Sequence, residues 1–263
     1  MFTIMLGAII GDIVGSRFEF NNAKSYHFGP LFTKECQFTD DTICTVAIAD
    51  AILNGSEDYA GYLQTWCRKY PHPMGGYGAS FSRWINDPEA KPYYSFGNGA
   101  AMRVSPVAWA FDSMGEAISH AIATASVSHN HPEGIKGAIA TAQAIMALRI
   151  CKNKAVTHSI EEIYYDPDKV YPTGVFNETC QGTVPVALRI VRDSKDFEDA
   201  IRLTMRWGGD SDTLGAIVGS MAEVLYGIPS SIKNEALEYL PGEMRKVIAR
   251  FYNEYERNGK AQR

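Results

Sequence analysis

Ile135-Lys136-Gly137-Ala138-Ile139-Ala140-Thr141-Ala142-Gln143-Ala144-Ile145-Met146-Ala147-Leu148-Arg149-Ile150 decides the fold class. Apolar side chains recur three and four positions apart, at 135, 138, 139, 142, 145 and 146, which is the period of a helix and not the alternation of a strand. The run also outlasts an ordinary strand of about 4–8 residues. Just ahead of it, Pro132 stands where a helix's first residue has no use for an N–H. The same period returns at 43–53, 117–125, 184–191, 214–225 and 244–252, and runs of alternating β-branched residues are few. An all-α protein is expected.

Between these helices, 71–78, 87–99, 166–182 and 227–229 are rich in Gly, Pro, Asn or Asp and read as loops. No repeat, low-complexity tract or linker divides the chain, so 1–263 is expected to be one domain, with a polar tail that frays from Asn253. A length of 263 residues with 46% apolar content suits one large core. The formal charge of -5, without any Lys/Arg run, argues against a general nucleic-acid binder. The cysteines (Cys36, Cys44, Cys67, Cys151, Cys180) are odd in number and form no C-x-x-C pair, which disfavours a disulfide framework or structural zinc and points to a reducing cytoplasm. The apolar start, 1–10, lacks a basic leader and soon meets Asp12, Arg17 and Glu19. It falls short of the about 20 residues needed to cross a bilayer, so it is expected to be a buried helix with no membrane partner.

Two similar segments lie far apart: Thr39-Asp40-Asp41-Thr42 and Asp210-Ser211-Asp212-Thr213, each ahead of an apolar helix. Capping explains one such residue per helix, because Asp, Ser and Thr accept backbone N–H bonds and negative charge suits a helix N-terminus. It leaves the surplus unexplained. Adjacent carboxylates repel, and a dipole contribution of about 0.3–1 kcal/mol per charge compensates weakly at a buried site. The following helices, Ile43-Cys44-Thr45-Val46-Ala47-Ile48 and Leu214-Gly215-Ala216-Ile217-Val218, are apolar nearly all round, which places their starts near the core. A cation resolves the conflict, and donors that are all oxygen select a hard ion such as Mg²⁺ or Mn²⁺ over zinc. Two clusters suggest two ions, which as a pair grip neighbouring oxygens of a substrate and activate water.

Gly11-Asp12-Ile13-Val14-Gly15-Ser16, Phe38-Thr39-Asp40-Asp41-Thr42, Gly97-Asn98-Gly99-Ala100-Ala101-Met102-Arg103 and Gly208-Gly209-Asp210-Ser211-Asp212-Thr213 together resemble the ADP-ribosylglycohydrolase family, in the family's order, over residues from about 3 to about 229. The resemblance implies a single-domain orthogonal helical bundle with a binuclear Mg²⁺ or Mn²⁺ site between helices. It assigns Thr39, Asp40 and Asp41 to one ligand group and Asp210, Asp212 and Thr213 to the other.

Glu19 lies between Phe18 and Phe20, aromatics that can desolvate it and raise its pKa as a general acid requires; the plainer reading is a charge at the end of the first helix. The family resemblance favours the first, because in its serine-specific branch a glutamate after the G-D-x-x-G-S segment is catalytic. Asp12 sits among Gly7, Gly11 and Gly15, whose spacing of four suits close helix packing, and is read as a support for its neighbours. The glycine-rich stretches Gly75-Gly76-Tyr77-Gly78 and Ser95-Phe96-Gly97-Asn98-Gly99 are neither a Walker loop nor a complete G-x-G-x-x-G. In isolation they are turns that can turn backbone N–H groups toward a diphosphate. The resemblance places Gly76, Tyr77, Gly78, Ser95, Phe96, Gly97, Asn98 and His129 at the substrate, with Phe96 near adenine and His129 near the phosphates. Trp207-Gly208-Gly209 is expected to be a flexible approach to the second acidic cluster.

These parts imply a hydrolase that cleaves the bond between ADP-ribose and a protein side chain or small-molecule acceptor and releases free ADP-ribose. Glu19 and Asp210 are the candidate acid and base, with their roles unassigned. Two rivals remain at this stage: a two-metal phosphoesterase, which would make AMP from ADP-ribose, and a non-catalytic ADP-ribose-binding or structural protein, which would bind without turnover. The acceptor and the oligomeric state are not written in these motifs.

Overall fold

The computed structural model describes residues 4–257. Its helices run in the order α1 (Leu6–Gly15), α2 (Asp40–Leu53), α3 (Tyr59–Lys69), α4 (Ala79–Asn86), α5 (Gly99–Met102), α6 (Ser105–Ala110), α7 (Met114–Ser126), α8 (Pro132–Cys151), α9 (Val156–Tyr164), α10 (Cys180–Asp193), α11 (Phe197–Trp207), α12 (Ser211–Tyr226), α13 (Ser230–Glu238) and α14 (Gly242–Tyr252). Among the described residues there is no strand, only an isolated bridge between Gly97 and Thr179. The all-α expectation holds.

Glycine sets the centre of the bundle. Every residue of α1 is buried, and α12 is buried from Ser211 to Val224. The two helices run antiparallel with their backbones in contact: a Cβ on Gly7 would overlap the carbonyl oxygen of Gly219, one on Gly11 that of Gly215, and one on Gly15 that of Ser211. The period-four glycines of α1 therefore meet Gly215 and Gly219 at matched spacing, as close helix packing requires. Buried Glu223 closes the far end of this seam by accepting the Gly7 N–H at 2.9 Å.

Around the pair, α2 packs on α1, α3, α6 and α14, and α8 lies among α5, α6, α7, α9, α10 and α12. Helix α8 begins at Pro132 as the sequence indicates, with His131 Nδ1 accepting the Glu133 N–H at 3.0 Å to cap it.

The boundaries differ from expectation in three places. The first helix starts at Leu6, and residues 1–3 lie outside the described part. The loop expected at 166–182 ends at Thr179, whose hydroxyl accepts the Gly182 N–H at 3.1 Å and so draws Gly182 into the first turn of α10. From Asn253 the chain continues into a π-helical turn over Asn253–Arg257, where the Tyr255 ring packs 4.7 Å from that of Phe251; the rest of the expected tail lies outside the described residues.

The glycine seam is testable by adding one methyl group. Gly11→Ala forces α1 and α12 apart and is expected to cost about 3 kcal/mol, or ~10 °C in Tm. Gly242→Ala, where nothing lies within 4 Å of the added carbon, should melt like the parent. Thermal unfolding of the two variants is the check, and equal melting temperatures would refute the seam.

Candidate metal centre

The antiparallel seam sets Gly15, at the C-terminal end of α1, against Ser211 and Asp212 at the start of α12. Ser211 Oγ donates to the Gly15 carbonyl at 3.2 Å. One turn earlier in α1, Asp12 Oδ2 accepts the Thr39 N–H at 3.0 Å, the Thr42 N–H at 3.1 Å and the Thr42 hydroxyl, which pins the start of α2 to the same place. Two oxygen-rich segments more than 160 residues apart in sequence, by the numbering, thus converge. Thr213 Oγ1 bridges them directly with a 3.2 Å bond to Asp41 Oδ2.

Two groups of carboxylate oxygens result, each lying within 4.8 Å of one another: Asp12, Asp41 and Asp212 in one, Glu19, Asp210 and Asp212 in the other. Asp212 belongs to both. Thr39 Oγ1 accepts the Asp41 N–H at 3.3 Å and donates to Asp41 Oδ2 at 3.2 Å, so it caps α2 and turns the carboxylate inward. Asp210 is held by the Asn98 side-chain amide, which donates to Oδ2 at 2.7 Å and to Thr183 Oγ1 at 3.1 Å.

The electrostatics are unbalanced. Asp12 Oδ1, Asp41 Oδ1, Asp212 Oδ1 and Glu19 Oε2 are buried without any hydrogen-bond partner. Burial raises all of these groups. Asp12 rises to about 6, restrained by its bonds from Thr42 and Thr39. Burial followed by the charges of Asp210 and Asp12 brings Glu19 to about 7. Asp40, Asp41 and Asp212 are pushed well above the ordinary carboxylate range by burial and then by neighbouring charges, led by Asp12 for Asp40 and Asp41 and by Asp210 for Asp212, and Asp210 is raised by burial against its bonds from Asn98, Asp212 and Thr213. Orphaned carboxylate oxygens facing one another are what a hard divalent cation satisfies, and the donor set fits one.

The other expected site residues surround this cluster. Gly75 and Gly76 both have positive φ, and Gly75 lies against Glu19, where a Cβ would stand 2.5 Å from Oε2, while Gly76 has open space beside it. Glu19 itself lies four residues beyond the end of α1, so the plainer reading of it as a helix-terminal charge does not hold. Tyr77 turns inward, its hydroxyl donating to the carbonyls of Tyr70 at 2.8 Å and Cys67 at 3.2 Å, while Gly78 opens α4 with free space around it. Ser95 Oγ accepts the Gly97 N–H at 3.1 Å, Asn98 N donates to the Glu178 carbonyl at 2.8 Å, and Phe96 is exposed with its edge toward the His131 ring. His129 is buried behind this turn, its Nε2 edge against Gly97 and Gly99.

The approach through Trp207-Gly208-Gly209 is pinned. Gly209 N donates to Asn22 Oδ1 at 2.7 Å, and both glycines have positive φ where Asn22 and the Val175 carbonyl crowd in, so the chain's own close approach requires glycine there. Sequence reading also missed half of Asp12's part: one oxygen organises α2, as expected of a support, while the other faces Asp41 and Asp212. The signal available was an acid in the middle of a wholly apolar helix.

Fold and centre together define an all-helical protein built around clustered carboxylate oxygens that could hold a metal ion. Its sequence matches the ADP-ribosylglycohydrolase profile over residues 2–261, and the chain belongs to that family. It is 26% identical to the ADP-ribosyl-(dinitrogen reductase) glycohydrolase of Rhodospirillum rubrum, covering 85% of this chain and 84% of that one. It is 25% identical to the ADP-ribosylarginine hydrolase Tri1 of Pseudomonas putida, covering 85% and 70% respectively. A solved ADP-ribosylglycohydrolase-related protein complex shares the fold, with a TM-score of 0.74 at 22% identity over 95% of this chain and 96% of that one.

The raised carboxylates fix a sign for the pH dependence. A carboxyl group whose folded pKa lies above its unfolded value stabilises the fold below about pH 4 and loses that contribution as pH rises through the folded value, here about 6 for Asp12 and about 7 for Glu19. In chelator, Tm is therefore expected to fall between pH 5 and pH 8. Mn²⁺ at ~100 times its Kd should restore about 2.7 kcal/mol at the upper end, and Asp212→Asn should remove most of that gain. Scanning fluorimetry with and without metal across this range is the measurement; a chelated protein that gains stability toward pH 8 would contradict the assignment.

Proposed function

We propose that the chain hydrolyses the glycosidic bond joining ADP-ribose to an acceptor, acting as one domain in a reducing cytoplasm. The carrying observation is the convergence of two acidic helix starts beside a half-buried glutamate whose carboxyl is raised to about 7. Asp41, Asp210 and Asp212 of the two oxygen groups, with Thr39 and Thr213 bonded to Asp41 and with Asp40 beside them in sequence, would hold two Mg²⁺ or Mn²⁺ ions. When bound, such ions supply a Lewis-acid grip on neighbouring hydroxyls, here those of the distal ribose.

The protein's own residues do the rest. Glu19, raised toward neutral pH, holds a proton near the leaving acceptor or orients the attacking water, and either role needs a pKa near the working pH. The Gly75 backbone beside it limits access of bulk water to that carboxyl. Asn98 keeps Asp210 turned into the cluster, where it is the partner base. The carboxylates also stabilise an oxocarbenium-like sugar as the acceptor departs. Beyond the ribose, His129 offers an N–H group to the diphosphate behind the Gly97–Gly99 turn, whose Gly97 and Asn98 N–H groups are taken by Ser95 Oγ and the Glu178 carbonyl, and exposed Phe96 offers a ring face to adenine.

The test is release of ADP-ribose from a panel of defined serine, arginine, guanidine, acetyl-ester and poly(ADP-ribose) linkages, with Mg²⁺ and Mn²⁺ supplied separately. Glu19→Gln is expected to lower kcat by about 10²–10⁴ with ADP-ribose binding retained. Turnover undiminished in excess chelator, or AMP as the product, would overturn the reading.

A further inference from the structure

Behind the Gly97–Gly99 turn lies a buried polar chain that the acidic centre does not use. Arg103, the residue that ends α5, is fully buried, and among the described residues no carboxylate pairs with it. Its Nη2 donates to the Thr124 carbonyl at 2.9 Å and to Ser128 Oγ at 2.8 Å, and Nε and Nη1 have no partner. Ser128 is also fully buried, and its Oγ lies 2.8 Å from His129 Nδ1. At the ring's other end, a Cβ on Gly99 would lie 3.0 Å from Nε2 and one on Gly97 3.4 Å from it, so the Nε2 edge reaches the turn only because both residues are glycine.

The donor inventory fixes the proton. A guanidinium carries donors only, so the Arg103–Ser128 bond uses a lone pair of the serine oxygen. The Ser128 hydroxyl hydrogen then needs an acceptor, and His129 Nδ1 is the one in reach among the described residues. With Nδ1 accepting, the proton of a neutral imidazole sits on Nε2. An imidazolium would take the second lone pair of the serine oxygen, leaving its hydroxyl hydrogen without an acceptor, and would add a charge next to a permanent positive one. Burial and the Arg103 charge hold His129 well below the ordinary imidazole range. Among the described residues, the titratable side chain whose ring packs on His129 is Tyr93, whose ring centre is 5.8 Å away and whose hydroxyl is pushed up to about 12, so it stays neutral.

We propose that Arg103 and Ser128 are positioning residues that lock His129 as a neutral imidazole protonated on Nε2, giving the Gly97–Gly99 turn a fixed N–H donor for a diphosphate oxygen of ADP-ribose. The ligand half of this statement rests on the function proposed above; the tautomer does not. Arg103 adds a buried positive charge behind the donor, so the turn attracts an anion while presenting a neutral ring.

Nitrogen-15 correlation spectra of His129 in the ligand-free parent protein, from pH 5.5 to 8, read the tautomer directly. One pyridine-type Nδ1 and one protonated Nε2 throughout are expected; an Nδ1–H tautomer, or titration near 6.5, overturns the lock. ADP-ribose binding with Mg²⁺ present tests the use of that donor. His129→Gln, whose amide nitrogen can stand at Nε2, should stay within about threefold of the parent, while His129→Asn and His129→Ala should lose about tenfold. Ser128→Ala should mix the tautomers and weaken binding severalfold with the metal-induced rise in Tm intact, and Ser128→Thr should restore both. Equal binding by the Gln, Asn and Ala variants overturns the donor role. A parent protein that binds no ADP-ribose overturns the proposed function and the donor role together, while the spectra still decide the tautomer.

Discussion

Everything in this protein is referenced to one steric constraint, the contact of the α1 and α12 backbones along facing glycines. Helices ordinarily stand about 8–10 Å apart because side chains intervene. Here Gly7, Gly11 and Gly15 remove them on one side, and Gly215 and Gly219 on the other, leaving carbonyl oxygens where a Cβ would fall. The register of that seam decides which residue of α1 faces the start of α12, and the answer is Gly15 opposite Ser211 and Asp212. Asp12, one turn back, is thereby aimed at the same point. By accepting two backbone N–H groups and a hydroxyl from Thr39 and Thr42, it carries the register over to α2. Three helix ends are located by one contact and one carboxylate.

What they locate is electrostatically unfavourable by itself. Removing a carboxylate from water costs several kcal/mol per ion even after relaxation, and helix N-termini return only a fraction of that. The fold nevertheless buries Asp12, Asp41, Asp210 and Asp212 within one region and leaves four carboxylate oxygens there without donors. Such an arrangement persists because the surrounding core is large and rigid enough to hold it, and it ties metal affinity to folding: a cation that binds only the converged cluster stabilises the native state by its binding free energy. Burial, and then the charges of Asp210 and Asp12, lift Glu19 to about 7. A property useful for acid–base chemistry is thus a by-product of crowding the ligands.

The all-α class and the two acidic helix starts were legible in the sequence because each is local. A 3.6-residue period and a run of oxygen donors ahead of an apolar stretch need no knowledge of the rest of the chain. The glycine spacing in α1 was readable as packing, although its partners Gly215 and Gly219 were not, since a spacing of four says nothing about which helix it meets. Asp12 shows the limit most clearly. Its support of neighbours was expected, but the two fates of its oxygens depend on α2 and α12 arriving from different parts of the chain. The turn at Gly208 and Gly209 shows the same limit: expected to be a flexible approach to the second acidic cluster, it is pinned by Asn22, which arrives from a distant part of the chain. Short α5, ended by Arg103, carries too few residues to show a period at all.

The two halves of the site have opposite polarity, and Asn98 joins them. Its side chain donates to Asp210 in the anionic half, while its backbone opens α5 at the turn backed by His129 and Arg103. A sugar nucleotide with a neutral diol at one end and a negatively charged diphosphate further along matches that division once cations neutralise the carboxylates. Without them, the acidic cluster would repel the phosphates that the turn attracts. The overall charge of -5, which argues against a general nucleic-acid binder, does not decide the case of a single diphosphate. The proposed ligand would meet a short gradient from cation to N–H donor, and Asn98 joins the residues at its two ends.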